Sequence, residues 1–275
     1  MVEAERKRPI IPEDLFSLRL AGDPRLSPGG EEIVFVVQRT DRRTNRYYAN
    51  LAIVSVADGR VTPFTWGDHL DLSPRWSPDG KRIAFVSDRT GRKQIHLIDR
   101  KGGESWPVTD LPEGRLSDPA WSPDGRWLAF TFHEKRPPKG DEEGWNPGPE
   151  DWKPPEGSPP ISRVIRRLRY KADSIGFLDD EQDHVWVVSV PEATGALGEA
   201  RRLSSGAFDH SIPVWSPDGR EIACFAVREP EAERLFPRSD LWAISFPEGE
   251  MRKIAEVCAP PIPPAWSPDG STLAL

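Results

Sequence analysis

A five-residue string, Trp-Ser-Pro-Asp-Gly, occurs four times in this chain, at Trp76–Gly80, Trp121–Gly125, Trp215–Gly219 and Trp266–Gly270. A degenerate copy, Leu26-Ser27-Pro28-Gly29-Gly30, precedes them. Repetition at this scale means one supersecondary unit stacked on copies of itself. Proline fixes φ near the value that the second position of a type I turn requires. Aspartate tolerates the next position, and glycine supplies the positive φ that closes a hairpin through a bulge. The tryptophan before the turn is expected to pack between neighbouring units, where burying an indole stabilises by up to about 4–6 kcal/mol. Trp76, Gly80, Trp121, Gly125, Trp215, Gly219, Trp266 and Gly270 therefore read as scaffold.

After each string comes a short apolar run: Ile33–Phe35, Ile83–Phe85, Leu128–Phe130, Ile222–Cys224 and Leu273–Leu275. A third strand-like segment follows at Leu51–Val56, Gln94–Asp99, His184–Val190 and Asp240–Phe246, and a fourth at Val61–Thr65, Ser105–Thr109, Arg201–Ser205 and Met251–Ala255. Four short strands per repeat predict an all-β protein, a β-propeller of four-stranded blades. Successive strings are 50, 45, 94 and 51 residues apart. The distance from fourth strand to next string is nearly constant, so the excess in the third unit falls between its second and third strands. One blade with a long insertion accounts for it.

The expected organisation is an N-terminal extension (1–23) with a short helix over Pro12–Leu20, then blades at about 24–73, 74–118, 119–212 (insertion 134–183) and 213–263, with a fifth begun at 264–275. A propeller closes to protect its sheet edges, so the chain is expected to be part of a larger ring.

Composition narrows the function classes. Hydrophobic residues are 37% and charged residues 29%, with a net charge of −7, which disfavours a nucleic-acid partner. No apolar run approaches the length of a membrane span. Charged Met1–Arg8 has no apolar segment behind it, so no secretory leader is expected and the cytoplasm is the default location. Cys224 and Cys258 fit no metal or redox spacing and read as free thiols.

The five histidines, His69, His96, His133, His184 and His210, are scattered in the sequence. His133-Glu134 runs into Lys135-Arg136-Pro137, which excludes a zinc-binding H-E-x-x-H helix. Asp68, Asp71, Asp79 and Asp124 read as turn-forming carboxylates rather than calcium ligands. Neither a cofactor nor a metal site is expected. In the insertion, Glu134–Pro160 is rich in proline, glycine and charge, and Val164–Tyr170 with Ser174–Leu178 reads as a projecting hairpin.

The repeats, with Ser87-Asp88-Arg89-Thr90-Gly91 after the second, resemble the TolB-type propeller, which occurs in periplasmic scaffold proteins and in the N-terminal propeller of prolyl oligopeptidase family serine peptidases. Two stretches resemble the peptidases further. The opening runs Asp14-Leu15-Phe16-Ser17-Leu18 to Gly22-Asp23-Pro24-Arg25-Leu26-Ser27-Pro28. The segment from Ile165 to Asp173, with Gly176-Phe177-Leu178-Asp179-Asp180 and His184–Val188, resembles the acylaminoacyl-peptidase branch.

That resemblance implies a ring of seven blades capping an α/β-hydrolase domain with Ser, Asp and His and restricting access to short peptides, N-acylated or not. No G-x-S-x-G elbow is present here, so no residue of this chain is expected to be catalytic. The implied partners are the hydrolase domain and short peptides, without nucleic acid or membrane, and with room for a homo-oligomer. Trp145, Trp152, Arg166, Arg167 and Arg169 are candidates to line the domain interface and to gate or bind peptide carboxylates. The alternative for the hairpin is a solvated face balanced by Asp179, Asp180, Glu181 and Asp183, and the alternative for the whole is a non-enzymatic TolB-like interaction propeller.

Overall fold

The computed structural model describes residues 8–135, 168, 170–173, 176–178, 181–229, 238–258 and 260–275. It is all-β apart from one 3-10 turn at Pro12–Ser17. That helix is shorter than the sequence suggests. Leu18 is extended, and Arg19–Leu26 is the first strand, β1, so the first blade begins at Arg19 rather than near residue 24. The shortfall has a local cause, since β1 pairs with the next strand from Arg19 onward.

The first sheet joins β1 to β2 (Glu32–Asp41), β3 (Arg46–Ser55) and β4 (Val61–Pro63). The second contains β5 (Leu72–Trp76), β6 (Arg82–Ser87), β7 (Gln94–Asp99) and β8 (Trp106–Pro107). In the third, β9 (Gly114–Trp121) and β10 (Trp127–Glu134) are joined by β13 (His184–Ser189) and β14 (Ala200–Arg202). Between them lies a separate two-stranded hairpin, β11 (Lys171–Ala172) with β12 (Gly176–Phe177), so the pairing sits C-terminal to the expected first arm, most of which falls outside the described residues. The fourth sheet holds β15 (His210–Trp215), β16 (Glu221–Ala226), β17 (Leu241–Ser245) and β18 (Met251–Ala255). Two further strands, β19 (Ala265–Trp266) and β20 (Leu273–Ala274), pair with each other.

The core lies between blades. Ile83 and Phe85 of β6 pack with Val34, Leu51 and Ile53 of the first blade. Their neighbours Ala84 and Val86 face the opposite way, against Leu128, Phe130 and Phe132 of the third. A strand buried on both faces reads as a continuous apolar run instead of alternating. In β2, by contrast, Val34 and Val36 are buried while Ile33 and Phe35 are only half-buried.

Each repeat string contributes two links between blades. Trp76 Nε1 donates to the Arg25 carbonyl (2.9 Å), Trp121 to Arg75 (3.0 Å), Trp215 to Ala120 (3.1 Å) and Trp266 to Val214 (3.4 Å). The acceptor is always the residue just before the previous string. The turns also stack. A Cβ placed on Gly80, Gly125, Gly219 or Gly270 would lie 3.7 Å from the ring of the preceding string's proline, an ordinary contact. Glycine is required there by its φ of 68–71°, not by space. Within each turn the serine hydroxyl donates to the aspartate, as Ser77 Oγ does to Asp79 at 2.6 Å, and accepts from the strand that follows, as from Arg82 N at 2.9 Å.

Trp121→Phe keeps a ring in the seam and removes only the indole donor. It is expected to cost about 1 kcal/mol, against about 3 kcal/mol for Trp121→Ala. Both are read as a lower urea midpoint at unchanged slope, and two variants that unfold like the parent would contradict the role given to the indole.

Candidate functional face

Strand order sorts the connections onto two faces. The repeat turns and the links from third to fourth strand lie on one. The other carries the connections from second to third strand (42–45, 88–93, 135–183, 227–240) and those between blades (64–71, 108–113, 203–209, 256–264). The longest connections in sequence are on this second face, and function concentrates on such connections. All five histidines are there too, although they are scattered in the sequence.

Asp71 is the hub between the first two blades. It is fully buried and accepts from Thr65 Oγ1 (2.6 Å), Ser87 Oγ (2.8 Å) and Arg89, through Nε at 3.1 Å and Nη2 at 2.5 Å. Arg89 Nη2 also donates to the Trp66 carbonyl (2.9 Å). Asp71 is therefore not a turn residue. Its carboxylate is satisfied on both oxygens, which is what allows a charge to be buried. Asp79 and Asp124 do serve their turns, and Asp68 pairs with Arg39 at 2.7 Å.

A polar latch repeats in three blades. Asn50, Gln94 and His184 occupy equivalent positions on the third strand. Beside them Thr65, Thr109 and Ser204 accept the N–H of Leu51 (2.8 Å), Ile95 (2.9 Å) and Val185 (3.0 Å). His184 Nδ1 is 3.1 Å from Ser204 Oγ. This serine is not a nucleophile: it is buried, its oxygen already accepts a backbone N–H, and Thr65 and Thr109 do the same work without a histidine. In the fourth blade the latch becomes ionic, with Asp240 held by Arg238 (2.8 Å) and Lys253 (2.9 Å). Glu229 and Glu256 complete an acidic group there, and both are paired with Arg238, so each carboxylate of the group already has a cationic partner.

Three histidines converge at the seam of the third and fourth blades. His133 Nδ1 and Arg115 Nη2 lie 3.2 and 3.3 Å from Asp183 Oδ1. Burial pushes the Asp183 carboxyl up, but the His133 contact and the Arg115 charge outweigh it and hold it below the ordinary range. His184 and His210 stack with ring centroids 5.5 Å apart. Burial lowers both to about 4, helped at His184 by Arg202 and at His210 by His184. His96, buried against Phe85, is likewise lowered to about 4 by burial and then by Arg89. These are neutral imidazoles built into seams. The sequence did not show the convergence, because the three residues come from strands in two blades and only the pairing brings them together.

The candidate gating residues Trp145, Trp152, Arg166, Arg167 and Arg169 lie outside the described residues. An aromatic that the repeats did not single out stands on this face: Trp66, 66% exposed. The described residues include no helix long and apolar enough to cross a membrane.

Residues 17–139 match the family described as the TolB beta propeller domain. Over that stretch the chain is similar to TolB-type propellers, and its fold is a β-propeller. Its sequence is 29% identical over 215 residues to an uncharacterized peptidase, YuxL, of Bacillus subtilis, covering 78% of this chain and 30% of that protein. The chain thus spans about a third of the length of that relative. Among solved structures, the propeller is similar to an acylaminoacyl peptidase of Pyrococcus horikoshii (21% identity, TM-score 0.63, 89% of this chain and 34% of that one). It is also similar to a putative TolB of Agrobacterium tumefaciens (18% identity, TM-score 0.59, 93% and 69%). The fold is shared with peptidase propellers and with TolB alike.

The histidine seam sets a pH dependence. The unfolded imidazoles take up protons near 6.5 and the folded ones near 4. Their contribution to stability is complete above about pH 6.5 and is lost as pH falls from there towards about 4. His210→Gln should flatten the fall of the urea midpoint between about pH 7 and about pH 5; an unchanged pH profile would contradict the assignment.

Proposed function

We propose that this propeller is the substrate-gating part of a serine peptidase acting on short, N-acylated or unblocked, peptides. The carrying observation is the sequence similarity to a peptidase over 78% of this chain and 30% of that protein, a proportion that leaves room for a separate catalytic domain. In this reading the histidine- and loop-bearing face is turned towards the hydrolase, and the insertion between β10 and β13 controls which peptides pass. The propeller itself contributes seams, latches and entry surface rather than a nucleophile.

A second reading, a non-enzymatic interaction propeller, is supported by the fold likeness to the putative TolB over 93% of this chain.

The two separate in one assay on the whole protein that carries this chain. The peptidase reading expects hydrolysis of short chromogenic peptides, N-acetylated ones among them, and covalent labelling by a fluorophosphonate. Deleting Lys135–Pro160 should then raise the rate on long peptides relative to short ones. Absence of both labelling and hydrolysis would favour the interaction propeller.

A further inference from the structure

The first blade departs from the others on the candidate functional face. In the second, third and fourth blades the second and third strands pair over six, six and five residues. In the first, pairing continues through Gln38↔Ala49, Arg39↔Tyr48, Thr40↔Tyr47 and Asp41↔Arg46. Four extra pairs carry the strand pairing about 13 Å beyond that of the other three blades among the described residues. The arm is closed by a hydrogen-bonded turn. Asp41 Oδ1 accepts from both Thr44 N and Thr44 Oγ1 at 2.8 Å, and Asn45 takes the left-handed turn position at φ 51°.

The arm bears four arginines, Arg39, Arg42, Arg43 and Arg46, against one aspartate that is occupied in capping the turn. Arg39 is spent on structure: it bonds the Gly67 carbonyl (3.1 Å) and Asp68, and lies over the Tyr48 ring at 4.7 Å. Arg42, Arg43 and Arg46 are exposed, and among the described residues none forms an ion pair with a carboxylate. Tyr47 is exposed on the same arm, and Trp66 stands beside its base, on the loop whose Gly67 carbonyl receives Arg39 and Asn50. A chain of net charge −7 thus presents on this face a strand-paired, positively charged finger with aromatic surface at its root. Guanidinium groups matched to carboxylates, with aromatic area beside them, are suited to acidic side chains on an extended peptide.

We infer that the β2–β3 arm is a charge-selective recognition element that favours peptides carrying Asp or Glu. This rests on the reading that peptides approach this face, and it names their class.

The test is binding, kept apart from hydrolysis. Fluorescein-labelled Ala-Ala-Glu-Glu-Ala-Ala and its Gln-Gln counterpart are titrated into the whole protein by anisotropy at low salt. The acidic peptide should bind about ten-fold more tightly, with a preference that shrinks as salt rises. The triple variant Arg42→Glu/Arg43→Glu/Arg46→Glu should reverse the preference towards a Lys-Lys peptide, while the triple Arg→Lys variant should retain most of it. Both alter exposed side chains, and unchanged thermal melting confirms that they fold. Equal affinity for the Glu and Gln peptides, or a preference indifferent to the reversal, overturns the inference. So does equally tight, arm-dependent binding of phosphatidylserine vesicles or single-stranded DNA, which would make the arm a general polyanion surface. Loss of hydrolysis without loss of the binding preference bears on the peptidase reading alone.

Discussion

The indole-to-carbonyl bond at each blade seam is the interaction on which the rest of this structure depends. A four-stranded blade cannot bury both of its faces by itself, so its stability lies in the neighbour it packs against. The tryptophan before each turn fills that seam and fixes its register, because its single donor reaches one particular carbonyl on the preceding inner strand. The turns, each with its glycine against the proline ring of the preceding turn, repeat the same constraint on the rim. Leu26 stands where the other copies carry tryptophan, and β1 has no earlier blade among the described residues to receive an indole.

With one face given over to turns that hold blades together, the other is free to vary. There the connections lengthen, the polar latches change from amide to imidazole to ion pair, and the first blade extends an arm. Every blade must still satisfy its buried polar atoms, and the solutions at Asp71, Gln94, His184 and Asp240 differ because the neighbouring connections supply different partners. The histidine seam is one such solution. It holds in neutral conditions and weakens with acid.

Much of this was legible in the sequence. The turn chemistry of Trp76–Gly80 and its copies dictates a hairpin, and the equal lag from fourth strand to next string dictates a repeat. Less legible were features made by pairing. Arg19 and Leu20 fell in the expected helix and Gly22 and Asp23 in the expected extension, yet Arg19–Leu26 forms an inner strand through a bulge with Asp23 at φ 45°. The same device recurs before each proline of the next three inner strands, at Ser73, Asp118 and Ile212. Asp71 looked like a turn carboxylate because its partners lie 6, 16 and 18 residues away. The arm was visible only as arginines between two apolar runs, since nothing in one sequence says that pairing continues past the point where the other blades stop.

Hydrogen exchange of the indole Nε1 protons, followed by nitrogen-15 NMR, tests the central claim most directly. The relay predicts that Trp76, Trp121 and Trp215 exchange only by opening of the blade seams and so share slow rates, while the exposed Trp66 exchanges rapidly. Fast exchange at all four would contradict it, and would mean that the blades are held by apolar packing without a fixed hydrogen-bonded register.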